Sequence, residues 1–334
     1  MVLRHPFYAV FLAMIALLIS AGCALEISQP GTRYITWDGI EPDKWASVWL
    51  IKRHIDPQAE VVLRPVGAPT DSGIAFGVPD AKYKRAHGVS IYESLREGFQ
   101  KDDPALQELS RIIHDIEISP WAAKTSEHSD TVEQAFRQLQ DHFETRIVPV
   151  DCYGRFFDEV YALLSAGSAD SDWDPLYGLA EKDPACRAET STLASRDNAP
   201  FVRRLDTHVV LDHFAADKNV VFVDVREPLE YDEFHIPGAI NLRLRDVRPE
   251  MKARFEDADL VIAYCIKDFR GFEMARSLAE IGVQNVGIMK PYGIAGWRHL
   301  GLPVTSRGGL SEREALDKLG QCARDVGRCI PNSS

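Results

Sequence analysis

The feature that most constrains the fold is an alternation of β-rich and helical runs in the C-terminal part of the chain. Val220 to Val225 is a run of branched and apolar residues, Val261 to Tyr264 is a second, and Val286 to Met289 a third. Between the last two, Phe272 to Ile281 carries helical periodicity and is closed by Gly282. Strands that are apolar throughout belong to sheets covered on both faces. Their alternation with helices calls for a parallel sheet with helices on either side. The spacing predicts such an α/β domain over residues 201–307, followed by a polar tail over 308–334.

The preceding part reads as a mainly helical α+β domain over residues 34–166. Pro42 to His54 has Trp45, Val48, Trp49 and Ile51 among its apolar residues and should end at Asp56-Pro57. Glu60 to Val66 reads as a strand, and Gly67 to Gly88 as mostly turn. Ile91 to Phe99 reads as a helix. Asp102-Asp103-Pro104 opens another that carries Leu106, Leu109, Ile112, Ile113 and Ile116 at helical spacing. Two further helices fit Thr131 to Phe143 and Cys152 to Leu164. Residues 167–200, rich in Ser, Asp, Ala and Pro, predict a linker with a docked piece around Trp173 to Leu179.

Residues 1–22 have the layout of an export signal: Arg4 and His5, an apolar run from Phe7 to Ile19, then Ser20-Ala21-Gly22. The run is short for a bilayer span; an uncleaved anchor or a buried helix is the alternative. Ile19-Ser20-Ala21-Gly22-Cys23 resembles the lipobox of bacterial lipoproteins, with Ser20 where a Leu-like residue is usual. The resemblance implies a lipid on Cys23 and attachment to a membrane. The expected location is the periplasm, soluble or lipid-anchored.

The formal charge of -12 excludes the nucleic-acid-binding class, which needs a basic face. Cleavage after Gly22 would remove Arg4 and no acid, taking -12 to -13. Of the six cysteines, Cys322 with Cys329 and Cys152 with Cys186 are candidate disulfides in an oxidising compartment. Sequence alone leaves the pairing open.

The chemistry concentrates at Cys265. A strand delivers the chain to this residue, Arg270 follows five residues later, and Gly271 leads into a helix. Loop amides and a positive helix end would favour a thiolate there, and Arg270 would grip an anionic substrate. The alternative is a buried structural cysteine at a strand end. Val223-Asp224-Val225-Arg226-Glu227 and Phe234 to Asn241 resemble the early signature segments of rhodanese domains. Tyr264 to Arg270 resembles their active-site loop, and Tyr292 to Trp297 with Gly301 to Val304 their C-terminal signature. These segments occur in order and at fitting distances.

The resemblance implies a sulfurtransferase in which Cys265 takes a sulfane sulfur from thiosulfate or a polysulfide and passes it to a thiol or other thiophile. Ile266, Lys267, Asp268, Phe269 and Gly271 would form the binding loop. It implies structural support from Asp224, Arg226 and His235, and no cofactor for sulfur transfer. Related phosphatases place the arginine one residue further from the cysteine, so this loop favours sulfur. Asp268 sits where such loops often have Gly. A carboxylate at an open loop mouth would repel thiosulfate, with a mobile Lys267 partly offsetting it.

In the first domain, Asp43 to Asp56, His87-Gly88, Ile91 to Phe99 and Asp103 to Leu106 resemble the C-terminal domain of the chromate-resistance ChrB family. Lys44 and Val48 depart from its pattern. Asp43, His87, His114 and Asp115 are candidate metal-site residues, and Lys52 and Arg53 candidates for attracting an oxyanion such as chromate. The structural alternative is that Asp43 caps a helix and the two cations form a solvated face. Two function classes follow: an exported sulfurtransferase, or a non-catalytic oxyanion- or metal-binding protein that docks or senses through the rhodanese fold.

Overall fold

The structure, a computed structural model, describes residues 31–86, 88–119, 122–143, 147–167, 172–187, 200–325 and 329. The export segment, Cys23 and His87 lie outside the described residues.

The first domain holds a small parallel sheet in the order β2-β1-β3: β1 (Arg33–Trp37), β2 (Glu60–Arg64) and β3 (Ile74–Ala75). Helices α1 (Pro42–Leu50), α2 (Ile91–Gly98), α3 (Pro104–Glu117), α4 (Ser129–Asp141) and α5 (Val150–Ala166) pack around it. The helix expected from Pro42 to His54 is α-helical only to Leu50; a wider π turn over Ile51–Ile55 completes it before extended Asp56. Asp56 then accepts from the backbone N–H groups of Thr32 and Gln58, tying the helix end to the start of β1. Asp103 caps α3 by accepting from Ala105 and Leu106, the role its Asp-Pro context suggested. Trp45 stacks on Tyr153 with ring centroids 4.2 Å apart, joining α1 to α5.

Residues 172–187 form short helices α6 (Asp174–Tyr177) and α7 (Leu179–Lys182) packed on this domain rather than a free spacer. Leu176 and Leu179 are buried, and the Cys152–Cys186 disulfide ties the segment to α5.

The second domain has five parallel strands in the order β4-β9-β8-β5-β7: β4 (Arg203–Asp206), β5 (Val220–Asp224), β7 (Ile240–Asn241), β8 (Leu260–Tyr264) and β9 (Val286–Lys290). Helix α9 (Pro228–Glu233) leads into a short pair, β6 (Phe234–His235) with β10 (Thr305–Ser306), that closes one corner. Helices α8 (Thr207–Ala215), α11 (Gly293–His299) and α12 (Glu312–Arg324) share a core with Phe222, Ile262 and Tyr264. The Cys322–Cys329 disulfide closes the end of α12. The other face of the sheet carries Val223, Val261 and Ala263 and meets α10 (Phe269–Glu280). That second cluster runs on into the first domain through Phe136, Phe156 and Phe157. Strand side chains alternate between faces, so Cys265, two residues after Ala263, falls on the face turned to the first domain.

Candidate active site

Cys265 follows β8, and α10 begins four residues later at Phe269, earlier than the periodicity from Phe272 suggested. Arg270 therefore sits in the first turn of α10, where the backbone N–H groups are unpaired. Two glycines make the loop possible. A Cβ on Gly271 would stand 2.9 Å from the Tyr264 Cα, so only glycine lets α10 start against the strand end. Gly293, at φ +63°, carries its Cα against the carbonyls of Ile266 and Lys267, where no Cβ fits. The N–H groups of Ile294 and Ala295 donate to the Cys265 and Ile266 carbonyls, 2.9 Å each, pinning the loop from behind.

Below the loop, Arg226 donates through Nε and Nη2 to the Asp224 carboxylate at 3.0 and 2.7 Å, and through Nη2 to the Phe234 carbonyl at 2.6 Å. Both side chains are fully buried. The Val225 N–H donates to the Tyr264 carbonyl, so this pair braces the residue before the cysteine. His235 stacks on Tyr231 with centroids 3.9 Å apart and contacts the Tyr231 carbonyl and Glu312. It lies in a corner of the fold away from the loop and has the partners of a structural histidine.

The loop is not open to solvent, contrary to the expectation for Lys267 and Asp268. Helix α4 of the first domain lies across it. Arg137 donates to Asp268 at 2.5 Å, and Glu133 pairs with both Arg137 and Lys267. The Arg137 guanidinium lies 4.6 Å over the Phe269 ring and 4.7 Å over Tyr292, and Phe136 meets Phe269 edge-on at 6.1 Å. Asp268 is 1% exposed, so it is an anchor between domains rather than a charge at the loop mouth.

Cys265 is 4% exposed and is the free cysteine among the described residues. Burial pushes its thiol up to about 11. Arg270 and the Gly271 N–H pull the other way, while Asp268 and Glu117 add to the rise. The helix end and loop amides were expected to give a thiolate. They are outweighed because the first domain removes the water that would solvate the charge.

At the rim, Arg270 reaches Glu230 only at 3.4 and 3.5 Å. From the first domain, Arg85 donates to Glu117 at 2.7 Å and lies 3.8 Å from Asp43. Neither Glu117, Arg85, Glu133 nor Arg137 was legible as part of the site. Each is far from Cys265 in sequence and carries no motif.

Of the first-domain metal-site candidates, Asp43, His114 and Asp115 are described, and each is taken up by other partners. Asp43 accepts from the backbone N–H groups of Ile91 and Tyr92, so it caps α2 rather than its own helix, and burial pushes its carboxyl up to about 6. His114 lies 3.1 Å from Glu93 and 3.2 Å from the Ser119 hydroxyl. Asp115 accepts from Thr125, Ser126 and Ser129 and fixes the turn before α4. Among the described residues no group of three or more His, Cys, Asp or Glu is placed to hold a metal. Arg53 is committed to Asp158 at 2.9 and 3.0 Å, which removes it from an oxyanion site with Lys52.

Comparison with known proteins agrees with this two-part architecture. The family described as ChrB, C-terminal domain, matches residues 34–164, and the rhodanese-like domain family matches residues 207–300. A sulfurtransferase of Allochromatium vinosum is 29% identical over 106 residues, covering 32% of this chain and 97% of that protein. The thiosulfate sulfurtransferase PspE of Escherichia coli is 33% identical over 81 residues, covering 23% of this chain and 75% of that protein. A thiosulfate:glutathione sulfurtransferase of Saccharomyces cerevisiae is 36% identical over 85 residues, covering 22% of this chain and 60% of that protein. The chain thus joins a ChrB C-terminal domain to a rhodanese-like domain of the sulfurtransferase kind.

Proposed function

We propose that the protein carries sulfane sulfur as a Cys265 persulfide, taking it from thiosulfate or a polysulfide and passing it to a thiol or other thiophile. The observation that carries this reading is the placing of Cys265. It is a free cysteine between a strand end and a helix N-terminus, with the Gly271 N–H and Arg270 acting on its sulfur. The minor fraction of Cys265 that is thiolate, its proton given up to bulk water, is the nucleophile, and its Sγ attacks the outer sulfur of the donor. An Sγ–S bond forms as the donor's S–S bond breaks, and the electron pair of that bond leaves with sulfite when thiosulfate is the donor. The thiophile then attacks the outer sulfur, and the Sγ–S electrons return to Cys265. Amides and Arg270 stabilise the anionic persulfide, and no cofactor is required.

The test is thiocyanate formation from cyanide, with thiosulfate and with a polysulfide as donors, alongside intact mass for one added sulfur atom. A wild-type protein that gains no sulfur from any donor while its thiol titrates as free would overturn the reading. The second reading, a non-catalytic binding protein, would then stand; the closure over Cys265 favours it.

Export is part of the proposal. The Cys152–Cys186 and Cys322–Cys329 disulfides suit an oxidising compartment, as the N-terminal layout does. Fractionation, and fatty-acid labelling compared with Cys23→Ser, test it. The link to chromate rests on the ChrB kinship of residues 34–164 and is tested by titrating chromate into the full chain.

A further inference from the structure

We infer that Arg85, supplied by the ChrB domain, is the second substrate-binding cation of the Cys265 site, so that the donor pocket is completed only where the two domains meet. The ligand this suits is a small sulfur oxyanion with a terminal sulfane sulfur, of which thiosulfate is the simplest. The inference rests on the sulfurtransferase reading and extends it to the residues that select the donor.

The argument begins with Glu117, at the C-terminal end of α3. It is bonded to Arg85 at 2.7 Å and lies within electrostatic reach of both Cys265 and Arg270. One carboxylate thus touches the field of the thiol, of the loop arginine and of an arginine from the other domain. Arg270 lies within electrostatic reach of Arg85, and the sign is repulsive. The segment that carries Arg85 lies along the second domain, since Asp80 acts on Arg245.

Two like charges within reach of each other, one of them beside a buried thiol, cost free energy unless something anionic lies between them. The resident acids answer this only in part. Glu117 offers one oxygen to Arg85; its other oxygen, Oε1, is buried without a hydrogen-bond partner among the described residues. The Nε of Arg85 is buried without a partner in the same way. Asp43 is 3.8 Å from Arg85, its oxygens already taken by the α2 backbone. Glu230 holds Arg270 only at 3.4 and 3.5 Å, longer than a good charge-assisted bond. Buried polar atoms left without partners are uncommon and ask for a ligand or water.

The rim is also where the site can be reached. Side chains of Arg85, Arg270 and Glu230 are 22%, 16% and 30% exposed, whereas Cys265 and Asp268 are closed off. An oxyanion entering here would take up the free Arg85 Nε and displace Glu230 from Arg270. Its sulfane end would point inward to Sγ. Arginine suits this role because its planar fork can hold two oxygens of one anion.

The test uses the full chain. Thiosulfate binding to Cys265→Ser is measured by calorimetry, with and without Arg85→Ala, which reads the cation without any sulfur transfer. Modification of Cys265 is measured by intact mass, as one added sulfur from thiosulfate (sulfite leaving) and as the mixed trisulfide formed, with release of one thiolate, from an uncharged organic trisulfide. Removing a charge-assisted contact is expected to weaken thiosulfate binding and raise its KM roughly tenfold or more. The kcat should hold far better, the trisulfide should lose much less, and Arg85→Lys should recover part of the loss. Equal loss with both donors, or unchanged thiosulfate binding, overturns the inference. If Arg85→Ala does not fold, Arg85→Gln takes its place, judged by the same binding measurement. Failure of the wild type to gain sulfur overturns the sulfurtransferase reading instead, and the calorimetry still decides whether Arg85 holds the anion.

Discussion

In the second domain the chemistry-bearing residues come from a single loop, Cys265 to Arg270, set between a strand and a helix. In the first domain the described polar residues of interest, Asp43, His114 and Asp115, each have a structural task. Asp43 caps α2, Asp115 fixes a turn, and His114 pairs with Glu93. Similar residue types therefore mean different things in the two places. What separates them is the backbone: the loop presents unpaired amides and a helix end to one atom, whereas Asp43 and Asp115 satisfy amides that would otherwise be orphaned. The first domain bears on the loop by its position over it, through Glu133 and Arg137, which pair with Lys267 and Asp268.

The largest expected effect tests the loop side of this contrast. Cys265→Ser should abolish sulfur loading outright, read by intact mass with any donor, because a hydroxyl is no substitute for the thiolate nucleophile. Loading that persisted would move the chemistry elsewhere.

Next is the support beneath the loop. Asp224→Ala leaves the Arg226 guanidinium buried without its carboxylate and should cost about 3–5 kcal/mol of stability, measured by urea unfolding. A cost under about 1 kcal/mol would mean that the pair is braced by other contacts.

The contact between the domains can be broken directly. Arg137→Ala removes the partner that Asp268 meets in α4 and should loosen the two faces. Water would then reach Cys265, and its thiol should fall from about 11 toward the ordinary 9. Alkylation at pH 8 should quicken on the order of tenfold for each unit of that fall. In the wild type the alkylation rate should still be rising past pH 9. Identical profiles in the two proteins would show that closure by α4 does not control the thiol.

The smallest effect concerns a buried carboxyl on the same interface. Burial pushes Glu273 up from 4.5 to about 7; Arg276 opposes the rise, while Glu41 and Asp38 of the first domain add to it. A carboxyl with a raised native pKa keeps its proton in the folded protein after the unfolded chain has lost it. Its contribution to stability is thus full below about 4.5 and is lost as pH rises to about 7. The slope is at most about 1.4 kcal/mol per pH unit. Glu273→Gln should flatten this stretch of the stability curve, read by thermal unfolding across that range. A slope that survives belongs to other groups.

Much of the second domain was legible because its information is local. Val220 to Val225 and Val261 to Tyr264 announce strands by composition, and the cysteine-to-arginine spacing lies within one loop. The support from Asp224 and Arg226 was implied by the resemblance of Val223 to Glu227 to a rhodanese signature segment, and the structure buries the pair. The start of α10 was read late, at Phe272, because Phe269 to Gly271 look like loop until the strand end they pack on is known.

By itself the sequence determined the alternation of strands and helices, the covered parallel sheet and the placing of a cysteine between a strand end and a helix, since propensity and alternation act over a few residues at a time. Only the tertiary structure decided what stands opposite Cys265. The parity of β8 turns that residue toward the first domain, but nothing local tells which helix lies there. Glu133 and Arg137 reach Lys267 and Asp268 across 134 and 131 residues of chain. Pairings of that span are settled by how two apolar faces fit and which charges can be buried together, and that matching exists only once both domains have folded.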